Sequence, residues 1–398
     1  MARHSGFHQI IGFDMGGTST DVALVSGEAR ATNEAEVAGF PVRVPMLDIH
    51  TVGAGGGSLA RFDAAGSLRV GPESAGADPG PICYGRGEQP TVTDANLLLG
   101  RLRPEAFLGG DFTLDLDRTR RIVAEWLKRS HSTLSVEQFA AGVVRVVNAT
   151  MEKAIRVVSI ERGYDPRDFA LVAFGGAGGL HACELAASLG IPKVIVPALP
   201  GALSAYGILV SDVVKDYSRT ILLRVKDTIP KRKLDAEFRA LAQSAEREFK
   251  REGWTGKPAF AHTADLRYRG QGFELNIAYG PRMLADFHAE HKRRYGYSSP
   301  QREVEIVTVR LRAKLPGSKI EASFAEARHA IKAQTASIFF DGKSQRAQVL
   351  ARESLPAQRS FRGPAIVTEY SATTVVPAGC SFSVDKSLNL VIRLQNRG

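Results

Sequence analysis

Cysteine is scarce, with 3 in 398 residues, at Cys83, Cys183 and Cys380, and no C-x-x-C pair or histidine cluster accompanies them. That excludes a disulfide framework and a structural zinc site of ordinary spacing. Each cysteine is expected to be a small buried residue rather than a nucleophile. Long apolar runs are also missing, since none approaches the ~18 to 20 residues of a membrane span. The opening MARHSGFHQIIGFDMGG has too short an apolar stretch and too much glycine for a secretory signal. A soluble, cytoplasmic protein with no membrane association is the expectation. Two nucleotide signatures are absent as well. No P-loop pattern occurs, and in GGAGG the third glycine of G-x-G-x-x-G would fall at His181, with no acidic residue at ribose-binding distance downstream. No period of 20 to 50 residues marks a repeat architecture.

What is present is a globular composition. Apolar residues make up 44% and charged residues 24%, enough to build a sizeable core. A length near 400 suggests two domains, or one large and one small. The formal net charge of +10 is unevenly spread: residues 1–220 hold 21 Lys+Arg against 24 Asp+Glu, and residues 221–398 hold 31 against 18. Glycine divides the same way, with 19 of 39 in residues 1–110 and 11 after 220. Two units with different tasks are expected, 1–220 and 221–398.

Along the chain, IIGFD (Ile10 to Asp14) reads as a strand, MGGTST as a tight turn, and DVALV (Asp21 to Val25) as the returning strand. The glycine- and proline-rich segments VGAGGGS, GPESAGADPGP and YGRG follow. Loops this long are uncommon unless functional. TVTDANLLLGRL reads as a turn entering a short helix. Residues 117–130 and 135–163 are helical by period; in the second, Phe139, Val143, Val147, Met151, Ala154 and Val158 form one apolar stripe. Phe169 to Phe174 is then a buried strand, GGAGG a turn, Leu180 to Leu189 a helix, and Ile191 to Pro197 another strand. This βαβ unit implies a partly parallel α/β sheet. Residues 231–252 form an amphipathic helix, and beyond Ala261 short alternating segments predict a strand-rich α+β region.

Asp14-Met-Gly-Gly-Thr-Ser-Thr-Asp21 carries the clearest chemistry. A strand delivering Asp into a Gly-Gly turn exposes bare backbone amides, and glycine lets a phosphate approach them closely. Gly16, Gly17, Thr18 and Thr20 are candidates to cradle phosphate. Asp14 and Asp21 are candidates to position a divalent metal, Mg2+ or another, or to accept a proton from water. FGGAGGLHAC (Phe174 to Cys183) is a second glycine turn at a helix start, suited to an anion or a nucleotide edge, or to close helix–strand packing. Asp48 and His50, spaced to share one face of a strand, are a candidate metal pair, with Asp78 and Asp94 in loops that could converge on them; a core-bonded histidine is the competing reading. His181 is open to phosphate contact, capping or packing. The basic clusters Lys231-Arg232-Lys233 and Lys292-Arg293-Arg294 belong to no nucleic-acid module, so a solvated face or a partner surface is expected, and no nucleic acid.

Together D-x-G-G-T-x-x-D and strand–GGAGG–helix resemble the second lobe of the actin, sugar-kinase and seventy-kilodalton chaperone ATPase fold, a ribonuclease H-like α/β lobe. IGFDMGGTSTDVALV, DIHTVGAGGGSLARFD, VGPESAGADPGPICYGRG, PTVTDANLLLGRL, FGGAGGLHACELA, LRYRGQGFEL and GPAIVTEYSATTVVPAG resemble hydantoinase A, the large subunit of the hydantoinase/oxoprolinase family. The resemblance implies use of ATP and a divalent metal. It also implies opening of a small cyclic amide, 5-oxoproline or a hydantoin, or carboxylation of a ketone in a sister group. It aligns Asp14–Asp21 with the second phosphate motif and Gly175, Gly176, Ala177, Gly178 and Gly179 with the adenosine motif. A hydantoinase B-like second subunit is implied too. Family members carry a further N-terminal lobe with its own phosphate hairpin, whereas 13 residues precede Asp14 here. Either a separate polypeptide supplies that lobe, or the chain is a partial one and a non-catalytic assembly or binding module.

Overall fold

A computed structural model describes residues 5–29, 31–32, 35–37, 40–42, 46–226, 228–317, 334–340 and 342–395. Compactness divides the chain into Met1–Ala205 with Ala322–Gly398, and Tyr206–Glu321. Among the described residues, no helix is long and apolar enough to cross a membrane.

The first unit is built on a nine-stranded mixed sheet. At its centre β1 (Gln9–Met15) pairs antiparallel with β2 (Thr20–Ser26) and parallel with the strand Ala170–Phe174. Alternation decides the faces of the hairpin: Ile11, Phe13, Met15, Val22 and Leu24 are buried on one side. Ala170–Phe174 continues in parallel to Lys193–Val196, the βαβ unit expected from the sequence. Helix α1 (Val92–Leu98) starts at Thr91, and α2 (Leu116–Arg129) starts at Asp115. Helix α3 (Val136–Val158) opens with a capping box, in which Ser135 accepts from the Gln138 amide and the Gln138 side chain accepts from the Ser135 amide. Its stripe from Phe139 to Val158 is buried as the period predicts. Helix α4 (Gly178–Ser188) has no side-chain cap, so its first amides are left for another acceptor. Helix α5 (Leu203–Val210) follows the last strand of the βαβ unit.

The compact units differ from the division expected at residue 220. Lys193–Val196 would be a sheet edge, and it is completed by Leu390–Arg393, which pairs with it residue by residue. Ser381–Val384 and Ser360–Arg362 extend the same sheet. The last part of the chain therefore belongs to the first unit, and the second unit is an insertion. It holds a four-stranded antiparallel sheet in the order Val213–Val225, Val304–Leu315, Ala259–Tyr268 and Leu275–Ala278. Helices α6 (Lys231–Arg251) and α7 (Met283–Tyr295) bury Leu234, Phe238, Phe249, Met283 and Phe287 in its core. About half of its described basic residues are held in ion pairs, such as Arg310–Asp265, Arg312–Asp216 and Lys215–Glu248.

Candidate functional site

Four turns of the first unit meet around one cleft of about 210 Å³. They are the β1–β2 turn with Gly16 and Gly17, the loop around Gly56, the turn with Gly176 and Ala177, and the turn Tyr370–Ser371 between the strands Ala365–Glu369 and Ala372–Val376. The two glycine turns singled out in the sequence thus line the same space. The hairpin turn is closed by the Gly16 amide donating to Ser19 O at 3.1 Å. The amides of Gly17, Thr18 and Ser19 donate to no group among the described residues, which leaves a row of donors at the tip. A Cβ added at Gly16 or Gly17 would meet nothing within 4 Å, and neither residue has a positive φ. Packing gives no reason for glycine there. A ligand held close to the backbone does.

The loop Gly53–Gly57 buttresses this turn from behind. The Gly56 amide donates to Gly16 O at 3.0 Å and the Gly57 amide to Gly17 O at 2.6 Å. A Cβ on Gly55 would lie 2.6 Å from the Thr18 backbone, so this glycine is required by the approach of two chains. Gly56 O in turn accepts from the Thr93 amide at 2.7 Å and from Thr93 Oγ1 at 2.8 Å. Thr93 is fixed because Asp94, fully buried, accepts from the amides of Ile82, Cys83 and Thr91 and from Thr91 Oγ1. Burial pushes the Asp94 carboxyl up, and those donors pull it down. The TVTDAN segment is therefore a support for the hairpin, and Asp94 does not converge with Asp48.

Asp14 and Asp21 are register partners, so their side chains share one face of the hairpin. Asp14 Oδ2 accepts from Ser204 Oγ at 2.7 Å, and Asp21 Oδ1 accepts from Thr51 Oγ1 at 2.5 Å. A magnesium ion takes one or two carboxylates and otherwise waters and phosphate oxygens. This pair beside the open amides fits such an ion with its phosphate, without requiring a cage of protein ligands.

Several expected site residues are placed differently. Thr20 is fully buried, and its hydroxyl donates to Ala54 O at 2.5 Å. It faces the core because Met15, its register partner, does; it holds the glycine loop and does not reach the cleft. Thr18 is exposed and contributes its backbone as the surface on which Gly55 rests. Gly175 has φ +79, and a Cβ there would lie 2.3 Å from Met15 O; on Gly179 a Cβ would lie 2.6 Å from Thr374 Oγ1. These two glycines serve close packing, a Cβ on Gly178 would make only ordinary contacts with Phe13 and Ala173, and Gly176 and Ala177 line the cleft. The metal pair is corrected as well. Asp48 lies in coil before the strand His50–Val52 and is ion-paired with Arg162, so the two do not share a strand face. Among the described residues, no group of three or more His, Cys, Asp or Glu side chains is arranged to hold a metal.

His181 is fully buried among three helices: its Nδ1 donates to Asn148 Oδ1 at 2.7 Å, and its Nε2 accepts from Asn96 Nδ2 at 3.3 Å. Burial, aided by Arg101, holds its pKa down to about 3, so the ring is neutral and ties α1, α3 and α4 together away from phosphate. All three cysteines are buried. Residues the sequence did not single out also line the cleft, notably Tyr84, Phe107, Glu369 and Tyr370. GPAIVTEYSATTVVPAG was the available signal, but nothing in that stretch has the spacing of a catalytic or phosphate motif.

The family model described as hydantoinase/oxoprolinase matches residues 1–217, and that of the hydantoinase/oxoprolinase C-terminal domain matches residues 226–394. The chain belongs to the hydantoinase/oxoprolinase family. Caprolactamase subunit alpha of Pseudomonas jessenii is 35% identical over 97% of this chain and 58% of its own length. A 5-oxoprolinase of Dictyostelium discoideum is 34% identical over 95% of this chain and 31% of its own. Among solved structures, nucleotide-free acetone carboxylase, from work on ATP-dependent acetone carboxylation, superposes with a TM-score of 0.88 at 28% identity, covering 99% of this chain and 59% of that one. The ATP-dependent caprolactamase of Pseudomonas jessenii superposes with a TM-score of 0.70 at 32% identity, covering 98% and 60%. The hydantoinase/oxoprolinase chain described here thus spans a third to three-fifths of these relatives. Its fold is the actin-like ATPase architecture that the motifs implied.

Proposed function

We propose that the chain is the nucleotide-handling part of an ATP-dependent hydrolase that opens a cyclic amide, 5-oxoproline, a hydantoin or a larger lactam. The observation that carries this reading is the cleft between two glycine turns, with open amides and no packing reason for Gly16 and Gly17. An amide is resonance-stabilised and a poor electrophile. Transfer of the γ-phosphoryl group from ATP to the ring's carbonyl oxygen releases ADP and leaves a good leaving group on carbon. Water then adds to that carbon, and the ring C–N bond breaks as its nitrogen takes a proton, giving the amine and an acyl phosphate. A second water hydrolyses the acyl phosphate to the carboxylate and inorganic phosphate.

The residues of this chain would bind and orient. The Gly17, Thr18 and Ser19 amides would hold phosphate oxygens, and Gly176 and Ala177 would border the nucleoside end. Asp14 and Asp21 would hold a divalent ion, which supplies charge neutralisation of the phosphates when bound. Ser204 and Thr51 would orient these two carboxylates. The name caprolactamase subunit alpha favours a multi-subunit assembly, the family resemblance makes its second subunit hydantoinase B-like, and dependence on ATP favours the cytoplasm.

The higher TM-score to acetone carboxylase favours a second reading, ATP-dependent carboxylation of a ketone. Phosphate release from ATP by the chain with its co-purifying subunits separates the two. Stimulation by 5-oxoproline, hydantoin or caprolactam supports the hydrolase. Stimulation only by acetone together with bicarbonate transfers the assignment to the carboxylase, and no ATP turnover under either condition overturns both.

A further inference from the structure

The cleft has two chemically distinct ends. At one end lie Gly16 and Gly17 of the hairpin turn. The other is an apolar and aromatic wall of Tyr84, Phe107, Leu108 and Tyr370. Tyr84 packs on Phe107 with ring centroids 5.9 Å apart and edge-on to Phe112 at 5.4 Å, so this part of the wall is a fixed cluster.

Tyr370 is the unusual member. It is 62% exposed, yet its ring is held in place. Its hydroxyl donates to Asp111 Oδ2 at 3.1 Å, and its ring lies so close to Gly109 that a Cβ there would be 2.6 Å from a ring carbon. The loop behind it is costly to form: Leu108 has φ +49, and Gly109 and Gly110 follow at +66 and +98. Left-handed backbone at a non-glycine residue persists only where surrounding contacts impose it, and such residues collect at ligand clamps. The preceding residue, Glu369, is anchored by a buried ion pair with Arg352, which also donates to Val196 O and Leu388 O. The Tyr370 ring thus borders the cleft, packed along one edge against Gly109 and pinned at its hydroxyl.

We propose that this wall is the platform for a flat heteroaromatic ring, the base of the nucleoside triphosphate, with Tyr370 as the stacking residue. The proposal rests on the phosphate reading above and adds to it the part of the site that distinguishes a nucleotide from bare polyphosphate. Stacking suits the task because every base has a π-face, and no hydrogen-bond code is needed for affinity. Tyr370 is preorganised, so little ordering entropy is lost when a ring settles on it.

The test compares Mg-ATP with magnesium tripolyphosphate by calorimetry on the wild-type chain, Tyr370→Ala, Tyr370→Phe and Gly109→Ala. Tyr370→Ala is expected to weaken Mg-ATP by about tenfold or more, the scale of one base–aromatic stack. Tripolyphosphate affinity should change less than about twofold. Tyr370→Phe keeps most of the Mg-ATP affinity. Gly109→Ala, which leaves Tyr370 present but displaces its ring, reproduces the selective loss. Equal losses for both ligands, or none for Mg-ATP, overturn the base platform while the phosphate reading stands. Failure of the wild-type chain to bind either ligand overturns both.

Discussion

Asp14 and Asp21 stand opposite one another in the β1–β2 register, two carboxylates on one face of one hairpin. Like charges directly opposite across a sheet oppose folding by up to about 1 kcal/mol. Nothing in the hairpin's own packing requires two acids there. A shared cation with its phosphate would relieve the repulsion. Asp21→Asn is therefore expected to leave the melting temperature unchanged or slightly raised, while Mg-ATP affinity falls by about tenfold or more. Thermal unfolding and calorimetry on the same samples check the opposed directions.

The glycines of the buttress should behave differently. Gly55→Ala puts a Cβ 2.6 Å from the Thr18 backbone, where neither chain can yield without breaking the Gly56–Gly16 and Gly57–Gly17 hydrogen bonds. A loss of about 1–3 kcal/mol is expected, as for other overpacked sites. Urea denaturation reads it directly, and a neutral Gly55→Ala would contradict the loop's role as a rigid support.

Thr20→Val removes one buried hydroxyl and keeps the shape. Ala54 O then loses the donor 2.5 Å away, and about 1–3 kcal/mol is expected from leaving a buried acceptor unpaired. Intrinsic phosphate affinity should fall only through loosening of the loop, by less than in Asp21→Asn. A comparable or larger loss of Mg-ATP binding in Thr20→Val would restore this hydroxyl to the binding site.

His181 gives the fold a defined acid sensitivity. Its folded pKa is held down to about 3, against an ordinary 6.5. Between those values the unfolded chain binds the proton that the folded chain refuses, so stability rises with pH. Its contribution is complete above pH 6.5 and is lost progressively on acidification toward pH 3, by about 1.4 kcal/mol per pH unit where the difference is one proton. His181→Gln should lower stability at neutral pH and flatten its slope between about pH 4 and 6. An unchanged slope would place the titrating group elsewhere.

Much of this was legible in the sequence, for physical reasons that differ by element. Strand–Gly-Gly–strand, the stripe from Phe139 to Val158 and the glycine turn before α4 are local patterns, and the structure keeps each close to its expected bounds. The pairing of Lys193–Val196 with Leu390–Arg393 was not legible, because it joins segments nearly 200 residues apart and four-residue strands carry little pattern. The direction of Thr20 could have been read: it lies one residue from Asp21, and neighbours on a strand point to opposite faces. Asp48 and His50 misled because their spacing suits a strand face only if both are in the strand, and it begins at His50. Tyr370 carries no motif chemistry. Its importance appears only when the chain's last strands bring it beside Gly176.

The central claim is that the turn at Gly16 and Gly17, with the open amides of Gly17, Thr18 and Ser19, receives the phosphates of ATP. The most direct measurement is calorimetric titration of Mg-ATP into the wild-type chain and the double variant Gly16→Ala/Gly17→Ala, with melting temperatures recorded in parallel. Added methyl groups meet nothing in the protein, so equal melting temperatures are expected within about 2 °C, as is usual for substitutions that disturb no contact. Saturable heat with the wild-type chain and at least tenfold weaker binding by the double variant is the predicted result. Equal affinity in the two proteins, or no heat with the wild-type chain, would contradict it.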